Sequence, residues 1–145
     1  MIPKDLSHMM QELGVFPTIL CTVDDQANPH LTFITWVYVV DDKTVRIALS
    51  SNAKSAKNLL QNGKACLMLI APGKALSCYG RARMLRERIE EVKFSVSVFE
   101  IEIHDTENNL FPGGTTTGTI PFMHTGDLEG AAELDQRVLD ALKRG

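Results

Sequence analysis

Hydrophobic positions along the chain change their period, and each change marks an element. Leu6, Met9, Met10 and Leu13 recur at helical spacing, with Pro3 where a first turn tolerates it and Gly14 as a stop, so a short amphipathic helix is predicted near the N-terminus. The stretch FPTILCTVDDQANPHLTFITWVYVVDDKTVRIALSS then alternates runs of β-branched and aromatic residues with the polar interruptions DDQANP and DDKT, which predicts three antiparallel strands. NAKSAKNLLQNGK returns to helix formers and ends in Asn62 and Gly63, a good helix stop. Strands resume with ACLMLIA, turn at PGK and continue through ALSCYGRARMLRE.

In VKFSVSVFEIEI the apolar positions Val92, Phe94, Val96 and Val98 give way to Ile101 and Ile103. This predicts a strand with a bulge near Phe99, the alternative being a short helix over RERIEEVKF. NNLFPGGTTTGTIPFMHTGD holds four of the ten glycines and apolar residues at Leu110, Phe111, Ile120 and Phe122, and reads as an ordered loop pinned by those four. A last helix follows, capped by Thr125 or Asp127, with a stripe of Leu128, Leu134, Val138, Leu139 and Leu142. Six or so strands in hairpin order, with one helix inserted, argue against a doubly wound parallel sheet. The predicted fold is mainly β: a single domain over residues 1–145, a small antiparallel barrel with peripheral helices.

Composition narrows the function classes. At 145 residues, 44% hydrophobic and 23% charged, the chain has the makeup of one soluble domain. A net charge of −3, without a dense basic block, argues against nucleic-acid binding. The N-terminal residues lack the apolar core of a signal peptide and no stretch is long enough to span a bilayer, so no membrane partner and a cytoplasmic address are expected. Cys21, Cys66 and Cys78 are odd in number and lie in apolar surroundings, which predicts buried free thiols. The histidines at positions 8, 30, 104 and 124 have no ligand partner at metal-site spacing, so no metal is expected.

Two stretches carry candidate chemistry. In ALSSNAKSAKNL, serines end a strand and cations open a helix, where free N–H groups and the helix dipole already present positive charge. Ser50 and Ser51, the amides from Asn52 to Ser55 and the Lys54 ammonium together form an anion site suited to phosphate. Serine and asparagine also serve as plain helix caps, and Lys54 and Lys57 equally suit a solvated face. In PHLTFITWVY, His30, Thr32, Ile34, Trp36 and Tyr38 share one face of a strand, a mixture that borders a flat conjugated ligand or packs in a core or subunit contact. His30 reads as a solvated hairpin residue, and Arg81 and Arg83 as partners of carboxylates or solvent. No spacing suggests a Ser-His-Asp set, paired catalytic carboxylates or an activated cysteine, so chemistry here would fall to a bound cofactor.

The segments NPHLTFITWV, TVRIALSSNAKSAKNLLQNGKACLMLI and ALSCYGRARML, in this order between Phe16 and Leu85, resemble the FMN-binding split-barrel family, which includes the pyridoxamine 5′-phosphate oxidase-like proteins. The resemblance implies a split β-barrel and an FMN held non-covalently at a homodimer interface, with a small-molecule electron donor or acceptor. By the same resemblance Lys54 takes the basic phosphate position, with Ser55 beside it and Asn58 one turn on. Ser50 and Ser51 would meet the phosphate or ribityl chain. Thr32, Phe33 and Ile34 would border the flavin ring, with Trp36 near it. The arginine-rich substrate-phosphate pattern of true pyridoxamine 5′-phosphate oxidases is absent, so vitamin B6 oxidation is not expected. A non-enzymatic carrier, or a barrel binding deazaflavin or haem, stands as the alternative.

Overall fold

The computed structural model describes all 145 residues. Its elements are α1 (Lys4–Leu13), β1 (Thr18–Val23), β2 (Pro29–Ile34), β3 (Val37–Asp41), β4 (Thr44–Ser50), α2 (Lys54–Asn62), β5 (Lys64–Ala71), β6 (Lys74–Arg86), β7 (Val96–Asn108) and α3 (Leu128–Arg144). The strands form one antiparallel sheet in the order β2-β1-β5-β6-β7-β4-β3. It is mainly β with three helices, as the alternation of apolar and polar positions predicts.

The second and third strands are consecutive in sequence yet lie at opposite ends of the sheet order, so the sheet curls until its edges approach. Hydrogen bonds from Phe16 N–H to Thr35 O (2.9 Å) and from Ala48 N–H to Trp36 O (3.2 Å) tie the joining residues to both sides. This corrects the three-strand reading: PHLTFITWVY is two strands broken at Thr35 and Trp36. Neither residue is a turn former, so the break leaves no compositional mark. The proposed shared face divides with it. Ile34, Val37 and Val39 enter the barrel core, whereas Trp36 and Tyr38 pack on the outer side against α3.

Two cores result. The barrel interior is filled by Leu20, Ile47, Leu67, Leu69, Phe99 and Ile101, with Leu6 and Met10 of α1 and Leu59 of α2 packed onto it. A second layer forms where Val138, Leu139 and Leu142 of α3 cover Ala48, Val96 and Val98. The second layer explains the apparent phase change near Phe99. Ser97, Phe99, Ile101 and Ile103 keep one unbroken inward face, and Val96 and Val98 are buried on the other face by α3. The register shifts of the β6–β7 pair fall at Leu85 and at His104, and the predicted strand at Val92 and Phe94 is a turn that tucks Ile89 and Val92 under the second layer.

Other expectations change as well. Phe111 (72% exposed) does not anchor the long loop; Phe122 rests against Phe33 of β2, and Thr116 pins the loop, its hydroxyl bonding Ala71 O and Lys74 O and receiving Lys74 N–H. Asp127 caps α3 by accepting Gly130 N–H, while Leu128 is exposed. Only Cys78 is buried, and burial pushes its thiol up to about 12. Cys21 and Cys66 are half-exposed and stand opposite each other on β1 and β5.

Arg46 joins the two layers. Its Nε donates to Glu100 Oε2 (2.9 Å), and its Nη1 donates to Leu142 O (2.9 Å) and Lys143 O (3.2 Å) at the negative end of α3. Arg83 binds the other Glu100 oxygen at 2.9 Å. Burial raises the Glu100 pKa, but the hydrogen bonds from Arg46 and then Arg83 outweigh it and hold the carboxyl below its ordinary value of 4.5. A depressed folded-state pKa stabilises the fold above the ordinary value and loses that contribution as pH falls through the folded one. Urea midpoints measured from neutral pH into the range below 4.5 are expected to fall less steeply for Glu100→Gln than for the wild type. Equal slopes would remove Glu100 from the acid response.

Candidate functional site

The end of β4 and the start of α2 meet β2 along an open groove of about 280 Å³. Thr32, Phe33, Ile34 and Trp36 line one side, and Leu49, Ser50 and Ala53 line the other. At its α2 end the chain leaves backbone donors free. The helix is preceded by Ala53 in an extended conformation (φ −66°, ψ 146°), with no side-chain cap. Lys57 N–H makes the first backbone bond of the helix, to Ala53 O, and the amides of Lys54, Ser55 and Ala56 find no acceptor in the fold. Neither serine nor asparagine serves here as a cap. Lys54 is exposed and enters none of the ion pairs. Three free amides and an unpaired ammonium suit a dianionic group.

The expected site residues separate into two groups. Thr32, Phe33, Ile34, Trp36 and Ser50 line the groove, and Lys54 stands at the α2 end. Ser51, Ser55 and Asn58 lie behind that surface with their side chains engaged. Ser51 Oγ pairs with Ser97 Oγ (2.7 Å), the Ser55 and Thr32 hydroxyls bond each other, and Asn58 Nδ2 donates to Thr22 Oγ1 (3.0 Å). Ser55 and Asn58 are buried. Their evident work is to seat α2 on β1 and β2, which fixes where the free amides point.

Three residues outside the sequence-based set connect two of the groove-lining residues, Trp36 and Phe33, from outside the groove. Asp135 on α3 accepts Trp36 Nε1–H at 2.7 Å and meets His124 Nε2 at 2.6 Å. The Phe122 ring lies edge-on to His124 (centroids 5.2 Å, 79°) and near Phe33 (5.9 Å, 40°). Trp36 and Asp135 are 99 positions apart, so no local spacing could have joined them. No group of three or more His, Cys, Asp or Glu side chains is placed to hold a metal ion.

The family described as pyridoxamine 5′-phosphate oxidase matches residues 14–109, well over half of the chain. The chain belongs to that family. The matched span runs from the end of α1 through β7 and includes the groove and the start of α2. None of the curated proteins matches the sequence. Among solved structures, a pyridoxamine 5′-phosphate oxidase candidate from Lactobacillus delbrueckii superposes with a TM-score of 0.61 at 15% identity, covering 73% of this chain and 93% of its own. An FMN-binding protein from Syntrophomonas wolfei gives 0.59 at 16%, covering 74% and 86%. HutZ, the haem storage protein of Vibrio cholerae, gives 0.55 at 17%, covering 71% and 94%. At these identities the three structures show a shared fold alone.

Proposed function

We propose that the protein is a homodimeric flavoprotein that binds FMN non-covalently and serves as an oxidoreductase for a small molecule. The observation that carries the reading is the conjunction at one groove of free α2 amides and Lys54 with the apolar walls of Phe33, Ile34 and Trp36. Phosphate fits the donor end, and a flat ring fits the apolar end. The FMN-binding protein from S. wolfei supports the same cofactor by kinship. When bound, FMN supplies hydride or single-electron transfer. The residues of this chain anchor the phosphate, border the ring and limit access of water.

An open groove of this size covers one side of a flavin ring system, and a second copy supplies the other wall. The outer face of β2, β1 and β5 is suited to that contact. Leu31 is 68% exposed and Phe33 46%, and Phe33 continues across the strands into Ile19 and Met68, both half-exposed. Contiguous apolar surface outside a barrel favours self-association. A monomer mass in solution with flavin bound would overturn the dimer.

The deciding experiment is an absorbance spectrum of purified protein before and after FMN addition and desalting, with released cofactor identified by mass. Flavin absorbance is expected. A Soret band instead, or a retained deazaflavin, would replace FMN as the cofactor. Steady NAD(P)H oxidation with an added acceptor separates an enzyme from a carrier. Lys54→Ala is expected to weaken FMN binding by about 1–3 kcal/mol, through loss of a charge-assisted hydrogen bond. Unchanged affinity in a fluorescence titration would remove Lys54 from the site.

A further inference from the structure

Taking the groove as the flavin-ring site, we propose that Asp135 is a positioning residue for its aromatic wall. It acts through Trp36 and is held in place by His124. The carboxylate is 13% exposed, with Oδ1 accepting the indole N–H and Oδ2 meeting the imidazole, so both of its oxygens are committed. A partly buried indole N–H needs an acceptor, and the one it has comes from α3 rather than from the barrel that carries the tryptophan.

The contacts start and finish at the groove. Phe33 meets Phe122, Phe122 meets His124, His124 meets Asp135, and Asp135 meets Trp36. Both terminal residues line the groove, Phe33 from β2 and Trp36 from the break before β3. Backbone bonds at Thr35 and Trp36 fix where the chain passes, yet they leave the indole free to rotate. The plane of the ring is therefore set from outside the barrel, by α3 and the loop before it. Phe122, His124 and Asp135 lie beyond the residues matched by the family, whereas Phe33 and Trp36 lie within them.

Trp36 is the single tryptophan, so intrinsic emission reports its surroundings alone. Emission of the FMN-free protein and FMN titration are compared for wild type, Asp135→Ala and Asp135→Asn. Asp135→Ala is expected to shift emission to longer wavelength and to weaken FMN binding about tenfold, a usual size for coupling between residues that share a partner. Asp135→Asn keeps an amide oxygen for the indole N–H and is expected to restore both readings to within about threefold of wild-type affinity. An alanine variant with wild-type emission, or with shifted emission and wild-type affinity, would overturn the proposal. If Asp135→Ala fails to fold, His124→Ala is measured instead, with the same direction expected at smaller size; no change would again overturn it. Should the wild type take up no FMN, the flavin reading fails separately, and emission still decides whether Asp135 holds the indole.

Discussion

Phe99→Ala is expected to destabilise the protein by about 3–5 kcal/mol, the range for deleting a buried aromatic side chain. Phe99 is fully buried at an inward position of β7, opposite Ile47 of β4 and Met84 of β6. Both neighbouring strands are held to β7 by ladders, so the barrel wall has little freedom to collapse into the space left behind. The cavity term then adds to the lost transfer free energy. Val98→Ala, on the opposite face against α3, removes less apolar volume and is expected to cost about 1–2 kcal/mol. Urea denaturation of the two variants makes the comparison. If Phe99→Ala costs no more than Val98→Ala, the barrel interior is not the dominant core.

Much of this architecture was legible in the sequence because alternation and turn chemistry are local signals. Gly63 ends α2 in the left-handed conformation (φ 73°), as Asn62 and Gly63 predict. The hidden features depend on contacts distant in sequence. Trp36 continues the alternation of PHLTFITWVY without interruption, so nothing local tells that β2 has ended and that the indole turns towards α3. The burial of Val96 and Val98 looked like a phase error because the pattern of one strand cannot announce a helix arriving on its other face. At the candidate site, Thr32, Phe33, Ile34, Ser50 and Lys54 were accessible from motif position, whereas the Asp135 and His124 pair was not. Ser51, Ser55 and Asn58 enter the expected site by their positions in the family resemblance. Their placement depends on which way each side chain points from its element, and all three turn towards neighbouring strands.

Gly80→Ala is expected to cost about 3 kcal/mol, at the upper end of the usual range for overpacking. The reason is close approach and not backbone conformation, since the glycines with positive φ do not include this one. A Cβ at position 80 would stand 2.4 Å from Glu102 O and 2.8 Å from Ile101 Cγ2. The first is a backbone atom of the adjacent strand, so no rotamer change relieves it. Beside this point β7 carries an extra residue, His104, so that Gly80 lies opposite Ile103 while its neighbour Tyr79 lies opposite Asp105. A glycine within a strand interior commonly marks such a bulge or close passage. Relief would require β6 and β7 to separate, which strains the barrel rather than one side chain. Gly118→Ala is the control, with no atom within 4 Å of the added methyl, and is expected to fall within about 0.5 kcal/mol of wild type. If Gly80→Ala unfolds in urea at the midpoint of Gly118→Ala, the β6–β7 approach at the bulge is not held by the fold, and position 80 tolerates a side chain by a shift of the strands.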